Sequence, residues 1–471
     1  NGTNVTISLL SEDIIGLKTN DRVCSKINNC WLTVTSDTVL DMNQNSVVQI
    51  DQLDALYACN FIDDDVPPFL VDYTLDMDTG FLNLTFDEPV RPSTLDPTQI
   101  YLLPSPNSST FITLTRYTTT ESPIGVVISL NLSTTDINNI KATEYIKSPT
   151  DTYLAFTSEA INDVAMNPVT PLSRDQPQSP FSYTADSTSP ECRLAIIDLS
   201  QETLQLVFNE PIRPSVFDAT QVTLLSSPYE DEPVENLTLS GGIVNGHDGS
   251  FILTLIFNKP DNKAIKLNDN LATSRDNAYI SLSGRTLTDM SGVYEVPEPL
   301  EDPLQVTAGG LVSDTSQATL YKFSIDMNSG ELTLTFTDVI VPATLHVTSV
   351  VLQSGSRSIA PNVYRLTTVS STTSPPGCEV LIKLGRVDLN ALKYRTGLTT
   401  NINDSYITVG ADVVNDLQGT DIIPITNDYG IKAESYIPDT THPQLESFSL
   451  DLNTGSLTLN FSETVNASTL N

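Results

Sequence analysis

The stretch FLNLTFDEPVRPSTL, residues 81–95, decides the fold of this chain of 471 residues. Leu82, Leu84 and Phe86 alternate in it with polar residues. Alternation with a period of two places every second side chain on the same face of a strand. The stretch therefore predicts a β-strand with one face in a hydrophobic core and the other in water.

The same stretch returns three more times along the chain. Its anchoring phenylalanine recurs about every 125 residues, as in a repeat architecture. Such a length lies in the usual range of one domain, so each repeat can bury a core of its own. The other copies are TLQLVFNEPIRPSVF at 203–217, ELTLTFTDVIVPATL at 331–345 and SLTLNFSETVNASTL at 456–470.

Two further landmarks keep the same period and order. An Asp-x-x-x-Leu/Ile-Lys segment starts at Asp13, Asp136, Asp261 and Asp388, and an aspartate at the end of a later strand recurs as Asp41, Asp163, Asp289 and Asp416. Three landmarks in constant order predict tandem domains. We expect the C-terminal half of a repeat at 1–64, complete repeats at 65–187, 188–314 and 315–440, and the start of a further repeat at 441–471. The incomplete ends predict a window from a longer repeat protein.

Each repeat reads as an all-β domain. An Asx-x-Gly turn such as LDMDTG joins two strands in a hairpin. The Asp-x-x-x-Leu/Ile-Lys segment predicts a single helical turn, capped by its aspartate, whose Leu or Ile enters the core. Many short strands and one crossing turn are typical of an antiparallel Greek-key sandwich. The predicted fold class is therefore a row of tandem Ig-like antiparallel Greek-key β-sandwich domains.

The repeated strand with its F-S/D/N-E-x-V and x-P-S-T-L continuation resembles the bacterial Ig-like domains of surface-layer proteins. INDVAMNP at 161–168 is similar to the D-x-x-G-N closing strand of that family, with Met166 in place of the glycine. Similar cadherin-like repeats occur in giant extracellular proteins, among them algal mastigoneme subunits, which form hairs along flagella. The resemblance implies an Ig-like fold and a role as spacer, adhesin or filament subunit.

The composition excludes two classes of partner. The formal net charge is −35, whereas nucleic-acid phosphates need lysine and arginine, so we expect no nucleic-acid binding. An acidic surface is also repelled by anionic membranes. The sequence contains no long apolar run, so no membrane insertion is expected in this segment.

Asn-x-Ser/Thr sequons make N-glycosylation a further expectation. Three of them fall on the polar phase of a strand, where a glycan would point outward. The candidates are Asn1, Asn4, Asn83, Asn107, Asn131, Asn236, Asn403, Asn460 and Asn466.

The odd number of cysteines fits an extracellular chain better than a metal site. Cys24 and Cys30 flank one loop, which predicts a local disulfide in an oxidising compartment. Cys59, Cys192 and Cys378 lie at non-equivalent places in their repeats. They are either buried thiols or candidates for cross-links to neighbouring chains.

Recurring acids are candidate calcium ligands, because Ca²⁺ takes six to eight oxygens and stiffens cadherin-like arrays at their linkers. The alternative is that these acids bond backbone groups or lie in solvated turns. No nucleophile–base arrangement, phosphate loop or Cys-x-x-Cys pair recurs, so no catalytic residue is expected. The calcium candidates are Asp63, Asp64, Asp65, Glu88, Asp186, Glu210, Asp314, Asp338, Asp439 and Glu463.

The favoured function is structural: a non-catalytic repeat segment of a long secreted, glycosylated filament or cell-surface fibre, for example a flagellar mastigoneme. Its partners would be copies of itself or other filament subunits, together with N-linked glycans, at the cell or flagellar surface. Two alternatives stay open. The chain could belong to a cell-surface adhesin with calcium-stiffened repeats, or to the spacer region of a large secreted enzyme whose catalytic domain lies elsewhere.

Overall fold

The computed structural model describes residues 2–20, 22–228, 234–299, 302–357 and 362–470. We number the five segments of the sequence analysis as units one to five. Units one and five contain few regular elements, whereas units two to four are rich in strands. Unit one contains α1 (Ser11–Thr19), β1 (Trp31–Leu32) and β2 (Leu56–Tyr57).

The complete units share one element order as far as the strand that follows their single α-helix, and they differ in the short strands after it. Unit two contains β3 (Leu70–Asp76), β4 (Phe81–Arg91), β5 (Ile100–Leu103), β6 (Ile112–Thr113), β7 (Thr119–Thr120), β8 (Gly125–Asn131), α2 (Thr134–Lys141), β9 (Tyr153–Phe156), β10 (Asn162–Asp163) and β11 (Ser182–Thr184). Unit three contains β12 (Cys192–Asp198), β13 (Thr203–Ile212), β14 (Val222–Leu225), β15 (Asn236–Thr238), β16 (Gly242–Asn245), β17 (Ser250–Phe257), α3 (Lys259–Leu267), β18 (Tyr279–Leu282), β19 (Leu304–Gln305) and β20 (Leu311–Val312). Unit four contains β21 (Leu320–Asp326), β22 (Glu331–Val341), β23 (Val350–Gln353), β24 (Val363–Arg365), β25 (Ser371–Thr372), β26 (Gly377–Lys383), α4 (Arg386–Tyr394), β27 (Tyr406–Val409), β28 (Asn415–Asp416), β29 (Ile431–Lys432) and β30 (Ser435–Ile437), and unit five contains β31 (Leu445–Asp451) and β32 (Ser456–Phe461).

The first hairpin of each complete unit forms as the alternating pattern predicts. In unit two, β3 and β4 pair antiparallel with Leu75 opposite Leu82. The turn is held by Asp76, whose Oδ1 accepts hydrogen bonds from the backbone N–H groups of Asp78 and Thr79 at 2.9 and 3.1 Å. Gly80 ends the turn at a φ of +72°, a conformation that residues with a Cβ rarely adopt.

Two sheets pack face to face in every complete unit. In unit two the order β11-β3-β4-β8-β7, with β10 on β4, makes one sheet, and β6-β5-β9 makes the other. Each of units two to four has its own hydrophobic cluster drawn from both sheets. Phe86, Phe208 and Phe336 are buried in these clusters, as predicted. The fold is thus a series of tandem Ig-like β-sandwiches.

Two local features differ from the sequence expectation. The sandwich is not wholly antiparallel, because the last strand of each complete unit pairs parallel with its first strand, as β11 does with β3. The predicted single turn is a helix of 8 residues in α2 and 9 in α3 and α4. The landmark Asp is not its cap: Ser133 caps α2 and Asp136 is the third helical residue.

The landmark aspartate instead ties the helix to a loop. Asp136 is fully buried, and its carboxylate accepts hydrogen bonds from the Thr115 backbone N–H at 2.9 Å and the Thr118 hydroxyl at 2.7 Å. Asp261 and Asp388 make equivalent bonds in units three and four. The helix is therefore fixed at its first turn, which leaves its last turn directed at the next unit.

The incomplete units expose apolar strand faces. In unit five, Phe448, Leu450 and Leu457 are each more than half exposed in the β31–β32 hairpin. In unit one, Trp31 and Leu32 of β1 and Leu56 and Tyr57 of β2 are also more than half exposed. Among the described residues, no helix is both long and apolar enough to cross a membrane.

Candidate functional site: the joints between units

The same contact recurs where each unit meets the next, and we refer to these places as joints one to four. The lysine that ends the Asp-x-x-x-Leu/Ile-Lys landmark lies in the last turn of the helix of one unit. It pairs with an aspartate of the linker and with an acid that follows the anchoring phenylalanine in the next unit. The sets are Lys18, Asp64 and Glu88; Lys141, Asp186 and Glu210; Lys266, Asp314 and Asp338; and Lys393, Asp439 and Glu463.

Joint two shows the geometry in a buried setting. The Nζ atom of Lys141 lies 2.8 Å from Asp186 Oδ1 and 2.6 Å from Glu210 Oε2. It also donates a hydrogen bond to the Thr188 hydroxyl at 2.8 Å. All three charged side chains are less than a tenth exposed. The ammonium group of the lysine thus donates its three hydrogen bonds to three oxygens, two of which belong to carboxylates.

Joint three is the most enclosed of the four. Lys266 Nζ lies 2.7 Å from Asp314 Oδ2 and 2.8 Å from Asp338 Oδ2, and its side chain is only 2% exposed. Ser316 donates a hydroxyl hydrogen bond to Asp314 at 2.6 Å. A lysine this deeply buried needs opposite charge beside it, because an unpaired ammonium group in the interior is very costly.

The shifts in pKa follow from the competition between burial and pairing. Burial lowers the pKa of Lys266, but hydrogen bonds to Asp314 and Asp338 outweigh it, so the pKa is raised. Burial raises the pKa of Asp314, but hydrogen bonds from Lys266 and Ser316, together with the charge of Lys266, more than reverse this, so the pKa is lowered. Both shifts favour the charged forms, and the contact is an ion pair at neutral pH. Lys141 follows the same rule, because hydrogen bonds to Asp186 and Glu210 overcome the effect of burial and raise its pKa.

A further acid lies beside the ion pairs of the first two joints. Carboxylate oxygens of Asp186, Glu210 and Asp289 lie within 4.8 Å of one another, as do those of Asp64, Glu88 and Asp163. Asp289 and Asp163 are the third landmark of the sequence. Asp289 Oδ1 accepts hydrogen bonds from two backbone N–H groups of its own turn. Burial, together with the charge of Asp186, raises the pKa of Asp289.

The linkers are also tied to the hairpin turn of the preceding unit. The Ser187 backbone N–H donates to Asp78 Oδ1 at 2.7 Å, and the Thr315 N–H donates to Ser200 Oγ at 2.7 Å. At joint four, the Thr441 hydroxyl donates to an oxygen of Asn328 at 2.7 Å. Each of these linkers is therefore held at its preceding unit by hydrogen bonds and at the following unit by the ion pair.

The backbones of units two and three also approach each other closely. Gly249 of unit three lies against the end of α2, where a Cβ atom at this glycine would come within 2.6 Å of the Ala142 carbonyl oxygen. Arg213 of unit three donates to Glu144 of unit two at 3.0 Å. Joint two is therefore a packed interface.

The structure brings together most of the predicted calcium candidates. In each cluster a lysine ammonium group lies between them. Asp63 and Asp65 are exposed and lie outside the joint-one cluster, whereas the other eight candidates pair with the four lysines. Sequence reasoning missed the lysine, although it ends the same landmark in all four copies. It also left Asp163 and Asp289 out of the candidate set.

Most of the candidate glycosylation sites are accessible. Asn83 is half-buried and donates a hydrogen bond to Thr74, and Asn1 lies outside the described residues. The exposed sites are Asn4, Asn107, Asn131, Asn236, Asn403, Asn460 and Asn466.

The cysteines fall into three environments. Cys24 and Cys30 form a disulfide with an S–S distance of 2.10 Å. Cys59 is exposed, Cys378 is half-buried and Cys192 is buried. Burial raises the pKa of Cys192 to about 12, which keeps it a thiol at neutral pH. Of the three candidates for cross-linking, only Cys59 lies open to a neighbouring chain.

No family model matches the sequence, and no curated protein matches it. Solved structures of tandem domains align with it at low similarity. The I9–I11 tandem of titin shares 8% identity over 79% of this chain and 100% of that chain, with a TM-score of 0.14. Domains 1–6 of the surface layer protein SbsC share 10% identity over 86% of this chain and 58% of that chain, with a TM-score of 0.17. The FN1–FN3 domains of chicken CNTN1 share 8% identity over 78% and 99%, with a TM-score of 0.22. The fold assignment rests on the sheets described above.

Proposed function

We propose that this chain is a non-catalytic structural segment of a long, secreted and glycosylated filament or cell-surface fibre, for example a flagellar mastigoneme. Its partners would be copies of itself or other filament subunits, at the cell or flagellar surface. The observation that carries the proposal is the recurrence of one lysine-centred contact at four successive joints.

A fibre needs joints that resist bending, and the two ties of each linker suit that need. Domains joined by free linkers move relative to one another by default. At joints two and three a buried lysine bridges the units, and removing one partner of a buried ion pair typically costs about 3–5 kcal/mol. Bending a joint would separate the lysine from the acid of the next unit. The contact therefore penalises bending.

The contact also allows units of this kind to follow one another in a long series. Every complete unit has a lysine at the end of its helix and an acid after its anchoring phenylalanine. Each unit can therefore follow any other with the same chemistry, which is what a repetitive fibre needs. The exposed sequons and the local disulfide fit a secreted chain.

Immunogold electron microscopy of the native material tests the proposal. Antibodies raised against residues 65–440 should label long regular fibres at intervals along their length. Labelling confined to isolated particles that carry an enzymatic activity would favour the spacer of a secreted enzyme, and labelling only at cell–cell contacts would favour an adhesin. Either result would overturn the filament proposal.

A further inference from the structure

We propose that joint two binds one divalent cation, with Ca²⁺ the best-matched ion, between the carboxylates of Asp186, Glu210 and Asp289. The inference deepens the proposed structural role, because the ion would hold the same two units that Lys141 holds. It differs from a calcium site built on the linker aspartates and the strand-end acids alone, because it needs Asp289 and leaves the lysine in place.

Two carboxylate oxygens at joint two lack a hydrogen-bond partner within the described part of the chain. They are Asp186 Oδ2 and Asp289 Oδ2, and both are buried. Asp289 is only 2% exposed. A buried carboxylate oxygen without a donor is costly, and carboxylate oxygens of these two residues lie within 4.8 Å of each other, a spacing that one cation could bridge.

Joint two offers more carboxylate oxygens than its lysine engages. Lys141 pairs with one oxygen of Asp186 and one of Glu210, and Asp289 adds a third carboxyl group beside them. Lys147 lies nearby and donates to the Lys141 carbonyl oxygen at 2.8 Å. Within the described part of the chain, Lys147 forms no ion pair with these three carboxylates.

The free oxygens lie on the sides of the acids that the lysine does not use. Lys141 engages Asp186 Oδ1 and Glu210 Oε2, which leaves Asp186 Oδ2 for an ion shared with Asp289. An open cleft of about 490 Å³ reaches the lysine side of the joint, where Lys141, Thr188 and Glu210 line it. Calcium accepts carboxylates and waters in flexible geometry, whereas Mg²⁺ demands near-ideal octahedra, so this irregular set favours Ca²⁺.

The test uses the full chain after removal of metal with a chelator. Calorimetric titration with CaCl₂ should show a binding event that Asp289→Asn weakens at least tenfold. Asn can keep the oxygen that accepts the two turn N–H groups, and its amide can donate to Asp186. The variant should therefore stay folded by circular dichroism and be no less stable than the wild type in chelator.

Asp41→Asn is the matched control. Asp41 occupies the same landmark position and accepts the same kind of turn hydrogen bonds, but it is exposed and belongs to neither cluster of three acids found among the described residues. This variant should bind calcium like the wild type. Equal binding by wild type and Asp289→Asn would overturn the proposal, and so would the absence of calcium binding by the wild type. The proposal would also be overturned if Asp186 and Asp289 bound only a proton. In that case a pH titration of the pair would be the same with and without calcium.

A negative result for calcium binding at joint two would leave the filament proposal unaffected. The lysine contacts need no metal, so fibres labelled in a chelating buffer would still support the structural role. Loss of the fibres with calcium binding retained would instead reject the structural role and keep the site.

Discussion

Removal of one joint lysine gives the sharpest test of how the units are held together. In Lys266→Met the aliphatic stem is largely preserved, so the packing along the side chain changes little. The ammonium group that lies between Asp314 and Asp338 is lost. Both carboxylates then stay enclosed at joint three without their cation, so they must take up a proton, draw in water or move apart.

The magnitude follows from the enclosure of the site. Lys266 is 2% exposed and both acids are less than a tenth exposed, so solvent screens the interaction weakly. Breaking such a pair from one side costs about 3–5 kcal/mol. At about 1.4 kcal/mol per factor of ten, the joint should open about two to four powers of ten more often. Cores two to four should keep their stability, because the lost contact lies between units.

Native-state hydrogen exchange measures this opening at single amides. The Thr315 and Ser316 amides, which bond to Ser200 and Asp314, should lose protection by that factor, while amides of the β13–β17 pairing should not change. Lys263→Met is the control, because Lys263 lies exposed on the same helix. Unchanged protection at the linker in Lys266→Met, or an equal loss in both variants, would refute the assignment of joint stiffness to the ion pair.

Three other outcomes follow from the structure. Phe208→Ala should cost about 3–5 kcal/mol in the free energy of unfolding of unit three, whereas Phe251→Ala, at a partly exposed site, should cost much less in denaturant titrations. Joint three should loosen in hydrogen exchange in acid below the ordinary aspartate pKa of about 3.9, and in base above the ordinary lysine value of about 10.4. The lowered pKa of Asp314 gives stability that is lost as pH falls through it, and the raised pKa of Lys266 gives stability that is lost as pH rises through it. In material from secreting eukaryotic cells, peptide mapping should find glycan at exposed Asn236 more fully than at half-buried Asn83, and equal occupancy would contradict the burial argument.

The hairpins and the core phenylalanines could be predicted because their signals are local. Alternation over six residues specifies which face of β4 is buried, and the Asp76 turn follows from neighbouring residues. The parallel pairing of β11 with β3 could not be read this way, because the two strands lie about a hundred residues apart and share no turn. The helix is longer than the sequence motif predicts. Its cap is Ser133, which precedes the landmark aspartate that the motif places at the cap.

The acids of the joints could be predicted from the sequence, whereas their lysine partner could not, for a physical reason. Acids that recur beside linkers suggest a cation, and both a metal ion and an ammonium group satisfy that requirement. The lysine belongs to the unit before the linker, 45 residues ahead of Asp186 and 69 ahead of Glu210 in joint two. Its partner becomes evident only when the helix is fixed by its buried aspartate and its last turn is seen to point at the next unit.

That arrangement links the inside of each unit to its outside. Asp136 fixes the start of α2 to a loop of its own sandwich, and Lys141 at the end of the same helix contacts the next sandwich. A helix of 8 residues is about 12 Å long and is short enough to transmit a displacement without bending. A pull on one unit therefore acts on a loop of the neighbouring sandwich through an ion pair, a short helix and a buried carboxylate. The landmark Asp-x-x-x-Leu/Ile-Lys contains both ends of that path, which gives a mechanical reason for its return in each complete unit.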